Sequence, residues 1–102
     1  MSPTQLTLRE LRRRGFVAAV TERWNPHARI RQDLFGFVDV LAIGPGGTIA
    51  VQATSDSNLA SRVRKISDHE NIGAARDANW TILVWGWKKQ NNRWQFREVD
   101  VS

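Results

Sequence analysis

Asp39 lies in the middle of the apolar stretch formed by residues 37–41, and Gln52 and Thr54 belong to the next apolar stretch. A carboxylate in such a stretch needs a partner, a metal ion or water, because burying it unpaired costs several kcal/mol. These residues therefore indicate a polar site, with a metal ion as one way to compensate the charge. The alternative is that Asp39 lies on a solvated face and bonds Gln52 or an Arg side chain.

The glycine-rich segment 44–47 predicts a tight turn between two antiparallel strands. Pairing outward from this turn places Asp39 opposite Gln52, and directly opposed residues share a face with Cβ atoms about 5 Å apart. Thr54 lies on the same face, two residues beyond Gln52. A shift of one residue in this register would separate Asp39 from Gln52. The other face is apolar and is expected to pack on a helix; it consists of Val38, Val40, Ala42, Ile49, Val51 and Ala53.

The rest of the chain supplies the elements that must position these residues. A first helix is capped by Ser2 and ends at Gly15, and residues 25–32 are expected to form a loop. A capping box from Ser67 to Glu70 is expected to open the last helix. Strands are predicted at residues 16–21, 35–43, 48–54, 81–87 and 93–101, and further helices at 57–66 and 67–77. The order α-β-β-β-α-α-β-β predicts one α/β domain over residues 1–102, a mixed five-stranded sheet flanked by helices.

Charge and composition narrow the function classes. The net charge is +5, and 12 of the 15 basic residues are Arg, whose planar fork matches phosphate geometry. The chain has no Cys, which excludes thiol chemistry and makes a reducing cytoplasm the expected compartment. No apolar stretch reaches the roughly 20 residues of a membrane span. Clustering favours a nucleic-acid-binding surface over a merely soluble one; the clusters are Arg12-Arg13-Arg14, Arg29 with Arg31, and Arg62-Arg64-Lys65.

Aromatic residues are concentrated near the C-terminus, where four of the 5 Trp lie at positions 80, 85, 87 and 94. We expect them to fill the core and to pack across strands. Stacking on bases and a dimer interface are the alternatives. His27 and His69 lack the spacing of a zinc site and are expected at the surface.

The segment from Leu8 to Ser55 resembles the archaeal-type Holliday junction resolvases of the PD-(D/E)XK nuclease superfamily. The similarity is carried by Glu10 in the first helix, by RRRGF, and by FGFVDVLAIGPGGTIAVQATS. Those nucleases have a helical Glu, an Asp on the second strand and E-x-K on the third. The resemblance implies a restriction-endonuclease-like fold, DNA cleavage with Mg²⁺ or Mn²⁺, branched DNA as a substrate, and a homodimer.

Residue by residue, the resemblance gives Asp39 the position of the motif Asp and Glu10 that of the helical Glu. Gln52 and Thr54 replace the Glu and Lys of E-x-K. The implied metal ligands are Asp39, Gln52 and Glu10, although Gln brings no charge. Thr brings no cation, so Lys65 on the following helix is the candidate for the missing Lys.

The same resemblance leaves several roles open. Asp33 could supply the lost carboxylate, and Arg62, one turn before Lys65, could also reach back. Alternatively, Asp33 is a turn residue, the two cations form a solvated face, and Glu10 pairs with a following Arg. DNA phosphates are expected to be bound by Arg12, Arg13, Arg29, Arg31, Arg62 and Arg64. The alternative functions are a catalytically inactive DNA-binding or assembly module and, third, a small enzyme on another substrate.

Overall fold

The first helix begins and ends where the sequence predicts. In the computed structural model, which describes residues 1–102, Ser2 accepts a hydrogen bond from the Gln5 amide at 3.2 Å. Helix α1 runs from Pro3 to Arg13. Gly15 follows with φ +94°, a left-handed conformation that glycine adopts without strain and that suits a helix end.

Seven strands and three helices follow one another along the chain. After α1 come β1 (Val17–Val20), β2 (Arg23–Asn25), β3 (Ile30–Gln32), β4 (Val40–Gly44), β5 (Gly47–Ser55), a 3₁₀ turn (Asp56–Asn58), α2 (Leu59–Ser67), α3 (Ile72–Asp77), β6 (Thr81–Gln90) and β7 (Arg93–Asp100). None of the helices has the length and apolar character that crossing a membrane requires.

The main sheet is mixed, as predicted, and has five strands in the order β1-β4-β5-β6-β7. β5 and β6 are parallel, because α2 and α3 carry the chain back between them, and the other neighbours are antiparallel. The register from the glycine-rich turn is confirmed, since Val40 pairs with Val51. Asn91 and Asn92 link β6 to β7 with φ of 53° and 59°, as in the turns that favour tight hairpins.

Helices cover both faces of the sheet. On one face α1 packs through Leu6 and Leu11 against Val40, Val51 and Trp85. On the other face α2 and α3 pack against alternate residues of the same strands, including Ala50, Ile82 and Val84. Most of the apolar face predicted for the β4–β5 pair therefore does pack on a helix. Val38 was predicted on this face but lies on the opposite one, in the cluster with α2 and α3.

Three predicted elements were wrong. Residues 25–32 are not one loop, because β2 and β3 form a two-stranded hairpin outside the main sheet. The second predicted strand, 35–43, begins only at Val40, since Phe35 and Gly36 turn with φ of 56° and 87°. The capping box at Ser67 does not form, because α2 continues to Ser67 and α3 begins at Ile72.

Candidate functional site

Asp39 lies immediately before β4 and is buried, with 3% of its surface exposed. Its backbone is already held in the sheet, since its N–H donates to Val51 and its carbonyl accepts from Thr21. The side chain points to the face covered by α2 and α3, which it shares with Gln52. The alternative of a solvated face for Asp39 is therefore wrong, although the bond to Gln52 that it included does form, and the carboxyl group must be compensated inside the protein.

One oxygen of Asp39 is fully engaged by β5. Its Oδ2 accepts hydrogen bonds from the Gln52 side-chain amide and, at 2.8 Å, from the backbone N–H of Ala53. Gln52 and Thr54 are themselves buried, at 4% and 5% exposure. The predicted contact between Asp39 and Gln52 is confirmed. Both donors hold the carboxyl group in one orientation and leave its second oxygen, Oδ1, for other partners.

Two further carboxylates converge on Asp39. The side-chain oxygens of Glu22, Asp33 and Asp39 lie within 4.8 Å of one another, and we call these three residues the acidic group. The β2–β3 hairpin brings the first two together: Arg23 pairs with Gln32, so Glu22 and Asp33 flank the base of the hairpin. Asp33 is a turn residue, since its carbonyl accepts from the Gly36 N–H at 3.0 Å, and its side chain also lies beside Asp39.

The environment of the acidic group favours the neutral form of Asp39. Burial is the largest cause, followed by the hydrogen bond and negative charge of Asp33, and the charge of Glu22 adds to them. Together they raise the pKa of Asp39 to about 8, although the Ala53 amide acts in the opposite direction. The Asp39–Asp33 pair therefore favours sharing a proton, and a nearby cation would displace it.

A polar cleft opens beside the acidic group. It has a volume of about 440 Å³ and is lined by Arg31, Gln32, Asp33, Gly36 and Lys65; we call it the Lys65 cleft. Asp33 belongs both to this cleft and to the acidic group. Lys65 and Arg31 thus place two cations next to a cluster of negative charge, and a phosphate could lie between them.

The turn that carries Asp33 is held against the connection between α2 and α3. Asn71 donates its side-chain amide to the Phe35 carbonyl at 2.9 Å. His69 is half-exposed, in agreement with the surface position predicted for it, and its ring packs on Phe37 with ring centroids 5.5 Å apart. A Cβ at Gly36 would lie 2.5 Å from the His69 ring; only glycine lets the turn approach this closely.

Glu10 lies outside the acidic group, on helix α1, which covers the opposite face of the sheet. It forms salt bridges with Arg13 at 2.6 Å and Arg14 at 2.8 Å. The hydrogen bond from Arg13, joined by that from Arg14 and by both positive charges, lowers the pKa of Glu10 to about 2, although burial opposes the shift. The structure therefore shows the alternative predicted for Glu10, a pair with the Arg residues that follow it.

The basic clusters are spread over both sides of the molecule. At the end of α1, Arg13 binds Glu10 and Arg12 donates to the Ala18 carbonyl at 2.9 Å. The remaining candidate phosphate ligands lie on the hairpin and on α2; they are Arg29, Arg31, Arg62 and Arg64. Among these four, only Arg31 forms an ion pair, a contact of 3.8 Å with Glu22. The Arg residues of the hairpin and α2 are thus freer to bind a ligand than Arg12 and Arg13.

Comparisons with known proteins give no relative: no protein-family model, no curated protein and no solved structure matches the chain. Sequence reasoning missed Glu22 as a member of this site. The usable signal was its position directly after a predicted strand that ends at Thr21, where loops from a sheet edge commonly carry functional side chains.

Proposed function

We propose that the chain is a metal-dependent DNA endonuclease of the PD-(D/E)XK type, acting in the cytoplasm and hydrolysing phosphodiester bonds in branched DNA. The observation that carries the proposal is the convergence of Glu22 and Asp33 on buried Asp39 beside the Lys65 cleft. In this proposal Glu22 and Asp33 supply the carboxylates that Gln52 does not. Lys65 supplies the cation that Thr54 does not.

The donor set fits a hard divalent cation. Three carboxylates offer only oxygen atoms, the ligands that Mg²⁺ and Mn²⁺ prefer. Within the acidic group only Glu22 has a cationic partner, Arg31 at 3.8 Å, and the pKa of buried Asp39 is raised. A bound divalent cation would supply Lewis-acid polarisation of a phosphate and neutralise its charge.

The chain's own residues have separate parts in this proposal. Gln52 and the Ala53 amide fix the orientation of Asp39, so the carboxyl group is preorganised toward the acidic group. Lys65 and Arg31 bind and orient the scissile phosphate in the cleft. Arg29, Arg62 and Arg64 contact neighbouring phosphates without reading sequence. A homodimer would present two such sites to a branched substrate.

Cleavage assays test the proposal directly. Purified protein is incubated with supercoiled, linear and four-way-junction DNA in Mg²⁺ or Mn²⁺, and products are resolved on gels. We expect Asp39→Asn to lower the cleavage rate by at least about 100-fold, as when a preorganised charged group is removed from an active site. Glu10→Gln is the matched control, a carboxylate-to-amide change outside the acidic group, and should cleave normally. Equal rates for Asp39→Asn and wild type would contradict the proposal.

One observation favours a second candidate, an inactive nuclease fold that binds DNA or serves as an assembly module. Gln52 donates its amide to Asp39, which satisfies part of the site without any metal. Calorimetric titration with Mn²⁺ separates the two. Binding that is lost in Asp39→Asn supports the nuclease, whereas an inert wild type that binds DNA but no metal supports the module.

A further inference from the structure

The β2–β3 hairpin stands apart from the main sheet and exposes two large apolar side chains. Its strands pair only with each other, and residues 26–32 are all exposed. Trp24 is 55% exposed and Ile30 is 51% exposed. A Trp this open contributes little to the core, so a binding role offers a better physical reason for its position.

The hairpin is uniformly basic. Residues 23–32 include Arg23, Arg29 and Arg31 and contain no acidic residue. Arg23 and Arg29 form no ion pair, and the contact of Arg31 with Glu22 is long at 3.8 Å. Unpaired guanidinium groups around an exposed indole complement a phosphate-bearing partner better than an apolar protein surface.

The register places the aromatic and cationic groups side by side. Trp24 pairs directly with Arg31, so the two side chains share one face of the hairpin. The tip is ordered, because Asn25 Oδ1 accepts from the amides of His27 and Ala28 at 3.0 and 3.2 Å. An aromatic ring on a basic, preformed support is the arrangement that binds unpaired bases.

A shallow cleft adjoins the indole. It has a volume of about 320 Å³, and Arg23, Trp24, Pro26 and Gln32 are among the residues that line it. That volume is at the lower end of small-ligand sites, which begin at roughly 300 Å³.

We propose that the β2–β3 hairpin binds an unpaired nucleobase, with Trp24 stacking on the base and Arg31, on the same face, neutralising a flanking phosphate. The inference rests on the proposed function for DNA as the partner, and it specifies the substrate as DNA with unpaired bases at a strand end or branch. Glu22 and Asp33 lie at the base of the hairpin. The stacked base therefore sets which phosphate lies next to the acidic group.

Fluorescence anisotropy in EDTA tests this, because binding is then measured without cleavage. The probes are a labelled blunt duplex and the same duplex with a short single-stranded tail. We expect Trp24→Ala to weaken binding to the tailed DNA by about 5- to 100-fold, the effect of removing one stacking platform, and to leave duplex binding nearly unchanged. Trp24→Phe should keep most of the affinity. Trp94→Ala removes a Trp that is 38% exposed on β7 and is the matched control.

Three results for Trp24→Ala would overturn the inference. The first is unchanged affinity for tailed DNA, and the second is an equal loss of affinity for both probes. The third is dissociation of a wild-type dimer in sedimentation, which would make the exposed Trp24 part of a subunit interface. Thermal unfolding confirms that each variant is folded. The proposed nuclease activity fails separately. An inert wild type with Trp24-dependent binding contradicts only the nuclease, whereas Asp39-dependent cleavage with unchanged Trp24→Ala affinity contradicts only the hairpin site.

Discussion

The two faces of the sheet each hold a carboxyl group among charged neighbours, and its pKa moves in opposite directions on the two faces. On the α1 face, hydrogen bonds and positive charge from Arg13 and Arg14 lower the pKa of Glu10 to about 2. On the α2–α3 face, burial and the negative charge of Asp33 and Glu22 raise the pKa of Asp39 to about 8. Glu10 is satisfied by its own helix. Asp39 is left to a proton or a cation, which is why we place the site there.

A fourth carboxylate placed next to the acidic group should have the largest effect on stability. We expect Gln52→Glu in EDTA at about pH 9 to lower the free energy of unfolding by about 3 kcal/mol, because the new charge is buried without a partner. Mg²⁺ should recover much of this loss, since a ligand that binds only the folded state stabilises it. Urea unfolding with and without Mg²⁺ measures both effects.

Gln95→Glu is the control for Gln52→Glu, because it makes the same change at an exposed position of β7. It should alter stability by less than about 0.5 kcal/mol. Equal losses of stability in Gln52→Glu and Gln95→Glu would show that the surroundings of Asp39 compensate an added negative charge.

Removing the charge of Asp39 should increase stability at high pH, the opposite of the effect expected for Gln52→Glu. The pKa of Asp39 is raised from 3.8 to about 8, so its stabilising contribution is complete below the lower value and is lost as the pH rises through the higher one. Asn has no proton to lose. We expect the free energy of unfolding of Asp39→Asn to rise relative to that of wild type by at least about 2 kcal/mol between pH 5 and pH 9.

Thermal melts from about pH 5 to pH 9 measure this difference. Asp77→Asn, at an exposed position at the end of α3, serves as the control and should follow the wild-type curve. Parallel curves for Asp39→Asn and wild type over the whole range would show that Asp39 does not titrate where its surroundings imply.

Removing the charge of Glu10 on the α1 face should have the smallest effect on stability. The pKa of Glu10 is lowered from 4.5 to about 2, so its contribution is present above the higher value and is lost as the pH falls through the lower one. Because Arg13 and Arg14 are largely exposed, we expect Glu10→Gln to cost at most about 1 kcal/mol near pH 7. Denaturant unfolding near pH 7 and near pH 2 measures it. A larger loss near pH 2 than near pH 7 would contradict the ion-pair account.

The β4–β5 pair could be predicted from the sequence because its determinants are local. The turn at 44–47 fixes the register, and the alternation of residue types then places Asp39 beside Gln52. The core roles of Trp85 and Trp87 were also predictable, since both lie on one side of an apolar strand. Their exposures of 0% and 7% confirm that prediction.

The acidic group could not be predicted, because its assembly depends on contacts between distant segments. The β2–β3 hairpin has almost no buried surface, so its sequence lacks the apolar alternation that indicates a strand, and Asn25-Pro26 looked like a break. Without that hairpin, nothing in the sequence connects Glu22 with Asp33. Glu10 was assigned by resemblance, whereas its ion pairs follow from helical spacing alone.

The Asn91-Asn92 turn has a consequence for how the chain folds. Hairpins of neighbouring strands close in about 1–10 μs, and β6 and β7 pair directly across this turn. β5 meets β6 only after residues such as Ile49 and Thr81 come together across the intervening helices, which carries a larger loop-closure entropy. Both the C-terminal hairpin and the β4–β5 hairpin are thus expected to form before β5 pairs with β6, so that the β5–β6 pairing joins two preformed parts of the sheet.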